Sequence, residues 1–318
     1  MDMKMILNGV CPHFINGTII SAKALGDGNI NDTYLIKTPN QDYICQRIKK
    51  EMDIEKLEYN YKLYSKACQE NSWLYPTWMP SDEGGYFHID KSAYAWRMYP
   101  FIRGQILKSP LSEESYMACG RGLYKMHLAL ADIKGRPKAV YPHLHDLKYY
   151  YEKYIEIINE KPDIKKDFRD SDIETIINRE SEFMLNIDLG PEIIVHGDSK
   201  LSNIIFNNGK FMGFIDFDTV MQGYMLEDIA DCVRSCCLTE GKLNMNAAHN
   251  LVEAYVSMAP AEVKEVVLNG WQDVFYKICF ELGLRYYIDV ISGEMHFKEK
   301  TPGYRLDKAR ALLNYKAL

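Results

Sequence analysis

The sequence predicts an α+β chain of two lobes, a small antiparallel-sheet lobe followed by a larger, mainly helical one. Three observations predict it. Residues 17–48 hold short β-branched or aromatic runs, Thr18–Ile20, Thr33–Ile36 and Tyr43–Ile48, broken by Gly, Asp and Asn. From Ser112 onward, apolar residues recur at helical spacing. Between the two regions, Pro100 in Tyr99-Pro100-Phe101-Ile102 interrupts a strand pattern, because proline has no amide hydrogen to give a ladder. The break assigns residues 1–99 to an N-lobe and 100–318 to a C-lobe, and 318 residues suffice for two cores.

Composition narrows the class. A net charge of −6 gives no support for nucleic-acid binding, which would favour a basic face, so no such partner is expected. No apolar run reaches membrane-spanning length, and the opening MDMKMILNGV is too short and too acidic for a signal peptide. Eight Cys without regular spacing argue against a disulfide scaffold. Cys232, Cys236 and Cys237 read as a buried helix face, and His143 and His145 as a solvated loop after Pro142. The expectation is a soluble, reduced, cytoplasmic protein.

In the N-lobe, the first two strands flank Leu25-Gly26-Asp27-Gly28-Asn29-Ile30-Asn31-Asp32, a loop whose glycines let backbone amides approach an anion. It is no dinucleotide fingerprint, since a third Gly is missing and a strand follows where a helix belongs. On the third strand, period-2 alternation puts Cys45 and Arg47 on one face, and a slip of one residue would present Gln46 instead. Lys49 and Lys50 read as solvated. Ile54, Leu57, Tyr61, Tyr64 and Cys68 mark a helix over 54–70 behind the sheet, whose Glu55 or Glu58 is a candidate partner for Arg47. Strands at 86–89 and 94–98 complete the lobe.

The helical lobe opens with Ser112–Ala131, stopped by Gly135, Pro137 and Pro142. Asp146 caps a Tyr-rich helix to Asn159. Ser171-Asp172-Ile173-Glu174 reads as a capping box for a helix to about Ile187. Next comes IIVHGDSKLSNIIFNNGKFMGFIDFD (193–218), three apolar strand runs whose second and third are joined by a tight Asn-Asn-Gly turn. Helices at 226–238, 245–258, 260–290 and 306–315 finish the chain, with no internal repeat.

Polar residues of the 193–218 stretch fall at strand ends, hence at the mouth of a site. Asp198, Asn203 and Asp216 have the order and spacing that phosphoryl transfer needs: an Asp to accept a hydroxyl proton, an Asn five residues later, and an Asp beyond a hairpin to hold Mg²⁺. Magnesium takes oxygen ligands, which Asp and Asn supply and Cys or His do not. Lys200 would lie beside the transferring phosphate. The other parts then acquire roles toward ATP. Gly26, Gly28 and Asn29 would cover its phosphates, Arg47 or Gln46 would face them, and the backbone around Met98 and Phe101 would meet the adenine. Gly197 stands where protein kinases carry Arg, Phe-Asp follows Asp216 in place of Phe-Gly, and no Ala-Pro-Glu follows. A kinase of small molecules is indicated, and a nucleotide-binding module without catalysis is the reading from another class.

These motifs resemble the aminoglycoside phosphotransferase and choline kinase group, a small-molecule branch of the protein-kinase-like bilobal fold. Within it the chain is most similar to the N-acetylhexosamine 1-kinases, which make a sugar 1-phosphate from ATP. GDGNINDTYLI (26–36), YICQRIKK (43–50), HGDSKLSNIIF (196–206), FIDFDTVMQG (214–223), DIADCVRS (228–235), LRYYIDVISGEMHFK (284–298) and YRLDKARALL (304–313) carry the resemblance, which covers both lobes. Gly197 departs from the residue such sugar kinases often carry. The resemblance implies that Asp198 is the base for the anomeric hydroxyl and that Asn203 and Asp216 hold magnesium. It makes Asp218 a further ligand or a substrate contact. It implies that Asp231 tethers the catalytic loop, with Asp228 and Arg234 in the same network, and that Arg285, Tyr286 and Asp289 face a sugar. An aminoglycoside, choline or other alcohol as acceptor is the rival within the class.

Overall fold

The structure is a computed structural model that describes residues 6–25, 31–160, 169–239, 241–293, 297 and 301–314. The loop residues Gly26, Gly28 and Asn29 lie outside them.

Five antiparallel strands form the first sheet: β1 (Ser21–Ala24), β2 (Asp32–Lys37), β3 (Asp42–Arg47), β4 (His88–Ile89) and β5 (Ala95–Pro100), in the order β1-β2-β3-β5-β4. The first strand begins after Ile20, which is exposed, so the run at 18–20 only leads into the sheet. Pro100 is tolerated as the last paired residue of β5. Helix α1 (Ile54–Glu70) has the expected bounds, with Asp53 capping it through the Lys56 amide.

Both faces of this sheet are covered. Tyr34, Ile36, Cys45, Trp96 and Met98 form an outer core with Ile6, Val10, Cys11 and Phe14 of the N-terminal segment. That segment is pinned where the Asp82 amide donates to the His13 carbonyl and His13 Nδ1 meets Asp82 at 2.9 Å. Among the described residues only His13, Glu83 and His88 bring three metal-ligating atoms together. The two imidazoles stack 3.6 Å apart at 12°, so no ion can lie in both ring planes, and the group serves as a clamp.

The second region carries α2 (Glu113–Ala131), α3 (Leu147–Glu160), α4 (Ser171–Leu185), β6 (Glu192–Val195), β7 (Ile204–Asn207), β8 (Lys210–Phe214), β9 (Met221–Tyr224), α5 (Met225–Cys237), β10 (Leu238–Thr239), β11 (Lys242–Leu243), α6 (Met245–Val256), α7 (Ala261–Ser292) and α8 (Pro302–Leu313). The cap of α4 is Asp170, one residue before the expected box, because Glu174 is drawn to Arg169 and Tyr287. Strand β9, which no periodicity announced, pairs with β6. Helix α7 is exposed over most of its first turns, where Glu262, Lys264 and Glu265 lie, and from Val274 onward it runs through the core with nearly every side buried. All eight Cys are free and buried, Cys232, Cys236 and Cys237 among them. No described helix is long and apolar enough to cross a membrane.

Candidate active site

The β7–β8 hairpin turns at Asn208-Gly209, both at positive φ, as a two-residue hairpin requires. Its two ends bring the key residues together. The loop 196–203 precedes β7, and Asp216 follows β8. The Ile215 amide donates to the Asn203 carbonyl at 2.8 Å, joining the two loops directly.

Asp198 is held from one side. Lys200 Nζ and Asn203 Nδ2 both donate to its Oδ2, at 2.5 and 3.0 Å, and Asn203 Nδ2 also reaches the Asp198 carbonyl at 2.8 Å. Oδ1 takes neither bond. Burial works to raise the Asp198 pKa, but Lys200 outweighs it, so the carboxyl lies below its ordinary value. Lys200 is raised, because Asp198 and Asp216 overcome the burial that disfavours its charge. Asp216 goes the other way. Burial, then Asp218 and Asp198, push it up to about 7. Its backbone is left-handed at φ +65°.

His196 spans both loops. Its Nε2–H donates to the Ile215 carbonyl at 3.1 Å, and its Nδ1 accepts from the Asp198 amide at 3.3 Å, an assignment that follows from the partners. Burial lowers its pKa, in keeping with this neutral tautomer. Gly197 explains itself. Its φ is +82°, and a Cβ there would sit 2.6 Å from the Thr219 carbonyl, so the Arg of protein kinases has no room.

The tether of this loop is Asp228, not Asp231. From α5, Asp228 accepts the His196 and Gly197 amides at 2.7 and 2.8 Å and His127 Nε2 at 3.0 Å, and its carbonyl accepts Ser199 Oγ at 2.6 Å. Asp231 is one turn further on. It pairs with Arg234 at 2.7 Å on the cleft wall. Asp218 likewise departs from expectation. It is buried against Arg97, which meets both its oxygens at 2.6 and 2.8 Å, and takes Asn31 Nδ2 at 3.2 Å. It therefore binds the first sheet.

On β3, Gln46 turns toward Arg97, its Oε1 accepting Nε and Nη2 at 2.9 and 2.8 Å. Arg47 pairs with Asp32 and lies over Tyr94, and Glu58 pairs with Lys62 instead. Arg47, Lys49 and Lys50 all line the cleft, with Lys50 exposed to solvent, as expected, and Lys49 half-buried. Met98 has its side chain in the outer core and gives its carbonyl to the Met79 amide. The Phe101 amide donates to Asp42. The Met98 carbonyl and the Phe101 amide are thus taken by protein partners.

The cleft beside Asp198 has a volume of about 1050 Å³. Helix α7 lines it with Arg285 and Tyr286, as expected, and with Glu281, which was missed. Asp289 is 1% exposed, accepts the Phe297 amide and faces Arg305. Lys277, Glu281, Arg285 and Asp289 recur every four residues along the core-embedded part of the helix from Val274, a stripe that marks one polar face. His145 is also in the cleft and not solvated. Its Nε2 meets the Gly197 carbonyl at 3.0 Å.

The donor set fits a hard divalent cation. Asn203 spends its amide nitrogen on Asp198, which leaves its carbonyl oxygen, and Asp216 is a carboxylate short of positive charge.

A sequence model described as the phosphotransferase enzyme family matches residues 21–264. Similar curated proteins are homoserine kinases. That of Hyphomonas neptunium is 23% identical, covering 95% of this chain and 89% of its own. That of Rhizobium rhizogenes is 24% identical, over 79% and 75%. Among solved structures, a microcompartment-associated aminopropanol kinase superposes at TM-score 0.69 with 14% identity, over 98% of this chain and 95% of its own. A spectinomycin phosphotransferase in complex with ADP and spectinomycin does so at 0.62 with 12% identity, over 98% and 94%. These share the kinase-like fold. With the family match spanning both the sheet and the Asp198–Asp216 unit, this chain belongs to the phosphotransferase enzyme family.

Proposed function

We propose that the chain is an ATP- and Mg²⁺-dependent kinase that phosphorylates the anomeric hydroxyl of an N-acetylated hexosamine. The observation that carries this reading is the meeting of Asp198, Lys200, Asn203 and Asp216 at the ends of one hairpin beside a large cleft. Asp198 Oδ1 accepts the proton of the acceptor hydroxyl as that oxygen attacks the terminal phosphorus and ADP leaves. Lys200 keeps the carboxylate ionised and places a positive charge beside the phosphate. Asn203 Oδ1 and Asp216 are the groups that would hold Mg²⁺, which when bound neutralises phosphate charge.

Charge supports a neutral acceptor. Among the described residues, the cleft wall has six Lys or Arg (Arg47, Lys49, Lys50, Lys200, Arg234, Arg285) against five Asp or Glu (Asp32, Glu51, Asp198, Asp231, Glu281). A polycationic antibiotic calls for an acidic pocket, and Asp218, Asp228 and Asp289 are engaged by protein groups. Tyr94, Tyr141, Tyr150 and Tyr286 add flat apolar surface for a sugar ring. The curated relatives favour a second reading, an amino-acid alcohol such as homoserine. An ATP-consumption screen over N-acetylhexosamines, free hexoses, L-homoserine, choline and aminoglycosides separates them, with the phosphorylated atom read by NMR. Turnover confined to homoserine would overturn the sugar reading.

The raised pKa of Asp216 sets a pH dependence. A divalent ion binds the ionised carboxylate, so below about pH 7 Mn²⁺ affinity of the nucleotide-free enzyme should rise about tenfold per unit, levelling above it. The sign for folding is opposite. A carboxyl raised above its unfolded value stabilises the fold when protonated, and this contribution is lost as pH rises through about 7. EPR titration with Mn²⁺ checks the first effect, and Asp216→Asn should remove the slope.

A further inference from the structure

On the polar stripe of α7, Lys277 is satisfied by Glu227 at 2.6 Å, and Arg285 lies over the Tyr150 ring at 4.9 Å. Glu281, between them, is only 1% exposed, and its two oxygens differ. Oε1 faces Arg285 Nη1 at 3.5 Å and His145 Nδ1 at 3.9 Å, both longer than good hydrogen bonds. Oε2 is buried and meets no donor among the described residues. Thr219 Oγ1, on the wall of the same cleft, is also buried without a partner. A buried acceptor left unsatisfied is costly, the more so on a charged group, and a functional role is one reason a fold keeps one.

We propose that Glu281 reads the acceptor: its Oε2 takes a hydrogen bond from a ring hydroxyl of the sugar other than the one phosphorylated, with the Thr219 hydroxyl as a second contact on that wall. The inference rests on the sugar-kinase reading and deepens it.

Position supports the assignment. Glu281 stands one imidazole away from the catalytic loop, since His145 meets the Gly197 carbonyl through Nε2 and faces Glu281 through Nδ1. Burial alone would discharge His145, but Glu281, then Glu227 and Asp231, outweigh it and Lys277, so the ring is raised toward its doubly protonated form. Through this ring the acceptor-reading carboxylate and the loop bearing Asp198 share one frame. A neutral polyol matches this carboxylate through a hydroxyl donor, whereas an analogue lacking that hydroxyl leaves the buried oxygen unpaired.

The test compares N-acetylglucosamine with its 3-, 4- and 6-deoxy analogues, on wild type and on Glu281→Gln. On wild type, one analogue should lose about 10- to 100-fold in kcat/KM, mainly through its KM, with KM for ATP unchanged. Glu281→Gln should lose a similar factor on the parent sugar. That one analogue should then lose nothing more, while the other two keep their wild-type ratios. Glu281→Asp, which keeps the charge but withdraws the oxygen, guards against a folding defect and should show the same acceptor-specific loss. A uniform loss across all four sugars, or none, overturns the assignment while leaving the kinase reading intact. Absence of wild-type turnover with every sugar overturns both.

Discussion

Asp198→Asn is expected to lower kcat by about 10²–10⁴-fold while KM for ATP stays near its wild-type value. The side chains are nearly the same size, so the loop keeps its shape through Asp228 and His196, neither of which touches the Asp198 carboxylate. What changes is the chemistry at one oxygen. Lys200 and Asn203 both occupy Oδ2, so the amide of the variant turns its oxygen to them and its NH₂ to the acceptor. An NH₂ there donates where a proton must be accepted. Because Lys200 holds the wild-type carboxyl below its usual range, loss of this base by protonation should not limit the rate at any pH above the ordinary carboxylate range. Steady-state kinetics on the best acceptor checks both statements. Near-wild-type turnover by Asp198→Asn with every accepted alcohol would sink the role given to this residue.

Sequence pattern reaches furthest where one local rule acts alone. Helix α1 has its expected bounds because an Asp cap, five periodic apolar residues and a surface face agree. The Asp198–Asp216 unit was legible for a related reason: strand runs between polar residues force those residues to strand ends. Alternation on β3 correctly separated Arg47 from Gln46, yet it cannot tell which face looks inward. The N-terminal residues Ile6 to Phe14 decide that, by covering the face of Cys45 and Met98.

Contacts between distant positions were invisible for the same reason. Arg97 and Asp218 are 121 residues apart, and nothing in either neighbourhood names the other. Resemblance alone makes Asp231 the tether. Asp228 holds that place because it lies one turn nearer the start of α5, where its carboxylate meets the successive amides of His196 and Gly197. Glu281 and Lys277 carried a usable signal, since charged residues every fourth position within an apolar stretch of helix mark a buried polar face. His145 carried none, because its left-handed backbone at φ +58° aims the ring into the cleft.

Arg97→Met is expected to destabilise the chain by about 3–5 kcal/mol, measured by urea unfolding at neutral pH. Both partners of the Arg97–Asp218 pair are almost wholly buried, 3% and 4% exposed, so the removed cation leaves a carboxylate with no water to replace it. Asn31 donates one bond to Asp218, too little to offset the lost bidentate pair. Gln46 Oε1 loses two donors at once, and the Trp78 ring loses the guanidinium 4.4 Å above it. Adding Asp218→Asn to Arg97→Met should recover most of the loss, because the uncompensated charge and not the missing contact is the larger part of the cost. A double variant no more stable than Arg97→Met would show instead that packing dominates. The pair also has a mechanical role. Asp218 lies two residues beyond Asp216, within the short turn Phe217–Thr219, so Arg97 fixes that turn to β5. Arg97→Met should therefore raise the Mg²⁺ concentration needed for half-maximal rate more than it raises KM for the acceptor. A loss confined to stability, with unchanged Mg²⁺ dependence in the folded fraction, would separate the lobe-joining role of this ion pair from any part in placing Asp216.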